Sequence, residues 1–221
     1  MANTLKDVGE FLAERAGRQL DVPFQRQMHD LVILKRARFL TNTLEKKTSL
    51  SRFFLQAFDA DIIKIDITAK DCEDALPEGC DIAFKTVLDI PVPLKIGVHP
   101  FDYVGAPGGH KSYGYTTFGS ESTMRHSKYT GKKPRYAYIN DKLYIFNEPN
   151  SNKIRIEGVF SDPRDLAPFM KCGTDKPCFS ETENFPIDGA TLELVIQDIM
   201  AKELRVTPRE EDLQVKVDQN V

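Results

Sequence analysis

Residues 133–163 read KPRYAYINDKLYIFNEPNSNKIRIEGVFSDP, and this segment carries the clearest secondary-structure signals of the chain. Two runs rich in aromatic and aliphatic residues, 135–139 and 142–146, flank Asn140-Asp141, a pair typical of a two-residue hairpin turn. The segment 153–159 then alternates polar and apolar side chains, as a strand solvated on one face does. The sequence therefore predicts a three-stranded antiparallel meander.

Helical patterns precede this stretch. Apolar residues recur at helical spacing over residues 5–12, after Thr4 as a candidate cap, and this helix is expected to end near Gly17. A second helix is predicted to begin after Asp21 and to run towards Thr43, because apolar residues again recur on one face.

Two further strands are predicted between these helices and the meander. Ile63, Ile65 and Ile67 alternate with polar residues, and the segment 82–88 alternates in the same way. Two prolines within residues 90–94 prevent a central strand, so this segment is expected to be an edge strand or an extended connection.

The segment 99–130 is rich in Gly, Ser, Thr and Tyr and has no sustained apolar period. It predicts long loops with one irregular hairpin, and so long a loop in a compact domain favours an interaction surface. Residues 105–112, GAPGGHKS, approach a phosphate-binding loop, but His110 replaces the second glycine and no helical pattern follows directly. Nucleotide hydrolysis is therefore not predicted.

More helical signals follow the meander. Asp162 and Pro163 predict a short helix, because aspartate caps helices and proline fits the first helical position. A narrow apolar stripe with acidic residues near its start predicts a C-terminal helix over 188–206. The stripe consists of Leu192, Val195, Ile196, Ile199, Met200 and Leu204. Residues 207–221 are expected to form an arm that is disordered or that clasps a neighbouring subunit.

Composition bounds the fold class. The chain has 221 residues, of which 41% are hydrophobic and 29% charged, and these fractions are ordinary for a globular α+β protein. No apolar run reaches the length of about 18 residues that a membrane span needs, and the start lacks a signal-peptide pattern, so cytosolic synthesis is expected. The predicted organisation is one domain over 1–206, with a helical part over 4–58, a β-rich part over 59–163, and the arm.

Charge is unevenly distributed, although the net charge of −3 gives no general reason to bind nucleic acid. Seven Lys or Arg residues lie between Arg26 and Arg52 against two acidic ones, a pattern that indicates a solvated helix face or contact with an acidic partner. The segment 111–135 carries six basic residues against Glu121 alone, with aromatic residues interleaved. Such a pattern fits single-stranded nucleic acid or a protein interface, and both interpretations remain open.

The four cysteines form two sequence pairs, Cys72 with Cys80 and Cys172 with Cys178. Seven and five residues intervene, whereas structural zinc sites usually place two to four between paired ligands, so free thiols are favoured over zinc or disulfides. The four histidines are scattered, and no Gly-x-Ser-x-Gly motif is present. No catalytic residue, cofactor or metal site is predicted.

The order of these elements resembles a known family. Two N-terminal helices, a meander that closes on IRIEGVFSDP at 154–163, and FPI at 185–187 before a helix over 192–204 are similar to crAss-like phage proteins. The resemblance, over about residues 36–213, is to the head-to-tail connector proteins (adaptor or ring proteins) of these short-tailed bacteriophages. It implies a non-enzymatic virion subunit, made in the host cytoplasm and repeated twelvefold, that docks below the portal and extends the DNA channel for packaging and ejection.

The resemblance also implies partners. These are the portal protein and neighbouring ring or tail proteins, with DNA enclosed without sequence-specific binding and no membrane contact. The C-terminal helix and arm are expected to bind the portal or an adjacent subunit, and the loop 99–130 the next ring. The candidate interface residues are Lys35, Arg36, Arg38, Tyr113, Tyr115, Arg125, Lys128, Lys132, Lys133, Glu210, Glu211, Asp212 and Leu213.

Two other functional classes remain open at this point. A nucleic-acid-binding accessory protein would lose DNA affinity steeply as salt rises. A small metal-dependent enzyme would carry stoichiometric zinc.

Overall fold

The computed structural model describes residues 4–45, 52–65, 83–94, 99–109, 111–129, 131–147, 151–170 and 179–205. The helices are α1 (Leu5–Arg15), α2 (Val22–Glu45), α3 (Phe118–Met124) and α4 (Gly189–Ile199). The strands are β1 (Gln56–Lys64), β2 (Ala83–Thr86), β3 (Tyr103–Gly105), β4 (Gly114–Tyr115), β5 (Arg135–Ile139), β6 (Lys142–Phe146) and β7 (Lys153–Gly158). Among the described residues, short 3₁₀ helices cover Arg52–Phe54 and Pro163–Phe169. The predicted α+β class is confirmed.

The chain divides into two compact units. The first unit comprises Met1–Leu55, Ser161–Arg164 and Cys178–Val221, and among the described residues it is helical. The second unit comprises Gln56–Phe160 and Asp165–Pro177 and contains the sheet. The expectation of one domain over 1–206 stays a prediction.

Local capping defines the helices of the first unit. The Thr4 hydroxyl accepts a hydrogen bond from the Asp7 amide at 3.1 Å, and α1 ends just before Gly17, which has a φ of 69°. The Asp21 carboxylate accepts from the Phe24 amide at 3.0 Å, and α2 follows. Both predicted helices are therefore confirmed. None of the helices in the described ranges has the length and apolarity to cross a membrane.

Helix α4 confirms the predicted C-terminal helix. The Asp188 carboxylate accepts a hydrogen bond from the Thr191 amide at 2.9 Å and so caps the helix. The apolar stripe buries Leu192 and Ile199. The helix then continues as a π-helical segment, Met200–Leu204, and ends at Arg205, which has a left-handed φ of 53°.

The sheet of the second unit has the strand order β3-β7-β1-β2-β6-β5-β4. Strands β5 and β6 form the predicted hairpin, and Asn140 and Asp141 have φ of 50° and 58°, as a type I′ turn requires. One face of the sheet packs a cluster of buried residues that includes Phe58, Ile145 and Phe160. Burial of such side chains is the main contribution to the stability of this unit.

The third strand of the predicted meander exists, but its partners differ from the prediction. Strand β7 pairs with β1 and β3, and β2 takes the open edge of β6. The two-residue turn at 140–141 forces its flanking strands together, whereas the longer connection before β7 imposes no such pairing. Pairing with β1 places Ile154 and Ile156 opposite Ala60 and Phe58, which buries all four.

The prediction of which face of β1 is buried is also wrong in part, because it placed Ile63 on the apolar face. The buried positions of this strand are Phe58, Ala60 and Ile62, whereas Ile63 is exposed. The strand pairs with β7 up to Asp61 and with β2 from Ile62, so its environment changes within its own length.

The segment 99–130 is more ordered than predicted. It contains β3, β4 and α3, and an isolated antiparallel bridge joins Gly105 of the edge strand β3 to Ser112, two residues before the edge strand β4, so the sheet is nearly barrel-shaped. The expected hairpin is therefore present, but α3 was missed. The signal for it is Thr117, whose hydroxyl caps the helix by accepting from the Ser120 amide at 3.2 Å.

Other predicted features lie where expected or outside the described residues. Residues 90–94 are an extended connection, and Asp162 precedes the predicted short helix, where its carboxylate accepts from the Arg164 amide at 2.8 Å. Ile67, the four cysteines and the arm 207–221 lie outside the described residues.

Candidate interaction surface

The most basic element on the described surface lies between α3 and β5 at residues 125–129 and 131–133, which we call the basic turn. It carries Arg125, Lys128, Lys132 and Lys133, and the sequence from 122 to 140 contains no acidic residue. Lys128, Lys132 and Lys133 are exposed, and Tyr129 between them is 81% exposed. The Lys128 ammonium lies 5.6 Å from the Tyr129 ring centroid, within the range of a cation–π contact.

A buried ion pair fixes the two ends of the basic turn. Glu121 of α3 accepts two hydrogen bonds from Arg135 of β5, each 2.6 Å long, in a bidentate arrangement. The two side chains are only 3% and 6% exposed. Because breaking such a pair would leave a buried charge without its partner, the pair holds α3 against the sheet.

Further hydrogen bonds shape the basic turn from inside. The Asn147 side-chain amide donates to the carbonyls of Gly131 and Lys133, at 3.1 and 2.9 Å, and Arg135 donates to the Gly131 carbonyl at 3.3 Å. A Cβ at Gly131 would overlap the carbonyls of Arg125 and Ser127, so the turn closes tightly only with glycine. The basic side chains therefore project from a defined backbone.

Aromatic packing supports α3 on the side that faces β6. Phe118, in the first turn of α3, meets Tyr144 and Phe146 edge-on, with ring centroids 5.2 and 5.6 Å apart. Such contacts stabilise by about 0.5–1.5 kcal/mol each beyond area burial. The basic turn is thus anchored to the sheet at α3 and at β5.

The predicted tyrosines lie inside the second unit. Tyr113 is 7% exposed, and burial raises the pKa of its hydroxyl. Tyr115 is half-buried and packs between Tyr136 and His99, with each ring centroid 5.5 Å away. Both residues therefore hold β4 in place, and the exposed aromatic residue of this region is Tyr129.

Arg36 lies in the core of the first unit. Its side chain is fully buried, and its Nε donates to the Pro186 carbonyl at 2.8 Å. The guanidinium lies 6.0 and 5.6 Å from the ring centroids of Phe54 and Phe185. Desolvation lowers the pKa of Arg36 to about 10, and the nearby Asp162 opposes this change. Arg36 therefore joins distant segments of this unit instead of facing a partner.

Lys35 joins α2 to the C-terminal helix. Its ammonium lies 2.7 Å from Asp198 and 2.9 Å from Glu203, and these bonds raise its pKa. Lys202 also pairs with Asp198, and the two lysines together lower the pKa of the Asp198 carboxyl. Arg38 is exposed, so it is the member of the predicted group 35–38 that is open to a partner.

The structure contains an acidic surface that the sequence patterns did not predict. The exposed side of α1 carries Asp7, Glu10 and Glu14 at helical spacing. The segment 181–184 lies beside the start of α1, because the Glu181 carbonyl accepts from the Lys6 amide at 3.1 Å. Glu181 and Glu183 are both exposed. We call these five carboxylate residues the acidic face. Its residues in α1 and its residues at 181–183 are about 170 positions apart in the sequence, so only folding brings these segments together.

Within the described parts of the chain, no group of three or more His, Cys, Asp or Glu side chains is arranged to hold a metal ion. The surface features that stand out among the described residues are the basic turn and the acidic face. The chain matches the family model of phage tail ring protein 2 over residues 24–220 and belongs to this family of crAss-like phage ring proteins. A comparison with curated proteins found no match.

Family membership confirms the resemblance read from the sequence. The protein is a virion structural component that forms a ring in the phage tail.

Proposed function

We propose that this ring protein is a subunit of the head-to-tail connector, a portal adaptor that extends the DNA channel for genome packaging and ejection. The observation that carries the proposal is the family match over residues 24–220. The proposed partners are the portal protein and the neighbouring ring and tail proteins, in a ring of twelve copies. DNA passes through the ring without sequence-specific contacts.

The charge distribution supports ring formation by head-to-tail contacts. A closed ring of more than two copies needs two different complementary surfaces on each subunit. Over the full sequence the first unit carries 15 basic and 17 acidic residues and the second carries 15 and 16, so net charge does not distinguish the two units. The complementarity that supports such contacts is local, because the basic turn lies in the second unit and the acidic face in the first.

The arm is proposed to bind the portal or an adjacent subunit through Glu210, Glu211, Asp212 and Leu213. Deletion of residues 207–221 tests this proposal. We expect the deletion to abolish particle assembly while the isolated subunit keeps its circular dichroism spectrum and melting temperature. A chain in which a Gly/Ser linker of equal length replaces the arm is the matched control and should also fail. Normal particles from the deletion variant would contradict the proposed role.

A nucleic-acid-binding accessory protein is the second candidate, and the observation that favours it is the basic turn with exposed Tyr129. If its four basic residues each neutralised a phosphate, log K for duplex DNA would fall with log salt at a slope of about −3.6. Between 50 and 200 mM salt this slope means a loss of affinity of about two orders of magnitude. A connector subunit should instead bind duplex DNA weakly at both salt concentrations.

A metal-dependent enzyme is tested separately. Elemental analysis of the purified full-length chain should find zinc well below one equivalent if the connector proposal holds. Stoichiometric zinc would reopen the enzyme alternative.

A further inference from the structure

The basic turn has the properties of a preformed docking element. The turn contains no acidic residue, its Lys128, Lys132 and Lys133 are exposed, and the Glu121–Arg135 pair beneath it is internally neutral. The hydrogen bonds of Asn147 fix its backbone at Gly131 and Lys133, so little ordering is needed when a partner binds. An exposed tyrosine at its centre supplies the kind of anchor that often dominates interface energies.

The acidic face carries a net charge that is opposite in sign and equal in magnitude to that of the basic turn. Its five carboxylates are accompanied by Lys6, which lies 3.7 Å from Glu10, and together these side chains have a net charge of −4. The basic turn carries +4. The basic turn belongs to the second unit and the acidic face to the first, so one copy of the chain carries both surfaces of a head-to-tail contact.

We infer that the basic turn of one subunit docks onto the acidic face of the next subunit in the ring. The inference rests on the ring assembly within the proposed function and names the surfaces that make it. Duplex DNA is a less suitable occupant, because fixed cations repeated in every subunit would bind the phosphates of a molecule that must move through the channel. A neighbouring copy, by contrast, is present in every ring at a fixed position.

Charge reversal with rescue tests the contact directly. One variant, K128E/K132E/K133E, reverses the basic turn, a second, E10K/E14K/E183K, reverses the acidic face, and a third combines both sets. The control R26E/R52E/K64E makes the same change in net charge as the reversal of the basic turn, but at exposed positions elsewhere. Each chain is supplied in trans to a phage that lacks this gene, and its incorporation into density-gradient-purified particles is measured by mass spectrometry.

We expect each reversed variant to be incorporated at least about tenfold less than the wild type, since like charges then face each other across the contact. The combined variant should recover most of the loss, and the control should stay close to wild type. Absence of rescue, in a combined variant that retains the wild-type melting temperature, would overturn the inference. An equal defect in the control would also overturn it, because the effect would then follow net charge alone.

Zero-length cross-linking provides a test that needs no substitution. Carbodiimide treatment of wild-type particles should link Lys128, Lys132 or Lys133 of one copy to Glu10, Glu14 or Glu183 of another copy. Links confined to other positions of this protein would overturn the inference. If K128E/K132E/K133E lowers duplex DNA affinity and the combined variant shows no rescue, the basic turn is a DNA contact instead. Absence of the wild-type protein from purified particles would refute the proposed function itself and not only this contact.

Discussion

Replacement of Glu121 by glutamine removes the charge that neutralises buried Arg135. Gln is nearly isosteric with Glu, so the substitution changes the charge and little else. Arg135 is 6% exposed and would keep its positive charge within the unit. The structure therefore predicts that this one substitution has an effect on folding far larger than is usual for an acidic side chain.

The expected magnitude follows from the burial of the pair. Breaking a buried ion pair on one side typically costs about 3–5 kcal/mol, because the remaining charge stays desolvated. With a urea m-value of about 2 kcal/mol per molar for a unit of this size, the unfolding midpoint should fall by about 1.5–2.5 M. The double replacement E121L/R135M should cost less than the sum of the single changes, since no charge is then left buried.

Tyrosine fluorescence measures this effect selectively. The chain has no tryptophan, and all seven tyrosines lie in the second unit. The matched control is E157Q, which breaks the more exposed Arg155–Glu157 pair of the same unit, where the 3.1 Å contact joins side chains 38% and 35% exposed. The control should shift the midpoint by less than about 0.5 M, as surface pairs contribute about 0–1 kcal/mol. A similar small shift for E121Q would refute the claim that the pair supports the basic turn.

Three further expectations concern the two units. R36M should lower the free energy of unfolding of the first unit by about 2–4 kcal/mol, because the Pro186 carbonyl loses its hydrogen-bond donor. R38M should change this free energy by less than about 0.5 kcal/mol. Equal effects of the two substitutions in chemical unfolding would contradict the burial of Arg36. Because the pKa of Asp198 is lowered in the folded state, its ionised carboxylate stabilises the fold at pH values above its ordinary pKa of 3.8, and this contribution is lost as the pH falls through the folded-state pKa. D198N should therefore flatten the acid side of a plot of melting temperature against pH, and an unchanged acid side would contradict this role. G9A should destabilise the protein by about 1–3 kcal/mol, because the added Cβ would overlap the buried His29 ring. G119A, where the added Cβ meets open space, should stabilise the protein by up to about 1 kcal/mol. Thermal melts that rank the two variants in the opposite order would refute this packing.

The parts of the fold that local chemistry determines could be predicted from the sequence. The hairpin at 140–141 follows from turn residues that tolerate positive φ, and the caps at Thr4 and Asp188 follow from side chains that accept hydrogen bonds from the backbone. In each case the determining atoms lie within four positions of one another in the chain.

The pairing of β7 could not be predicted, because it depends on packing between segments about 95 positions apart. Helix α3 was missed because it is short and has no apolar period. The position of Arg36 was also unpredictable, since a basic residue on a helix is usually solvated and only the aromatic rings of distant segments bury it here. The basic turn was visible as charge, whereas its support by Glu121 and Asn147 required the structure.

Sedimentation of native particles shows whether this protein is a subunit of the connector. Phage lysate is separated on a density gradient, and the protein is quantified in each fraction against the major shell protein by mass spectrometry. We expect the protein to travel with DNA-filled particles at a low fixed ratio, near twelve copies per particle, and to be located at the portal vertex by imaging. Its recovery in the light soluble fractions alone, with none in the particles, would contradict the claim that it is a connector subunit.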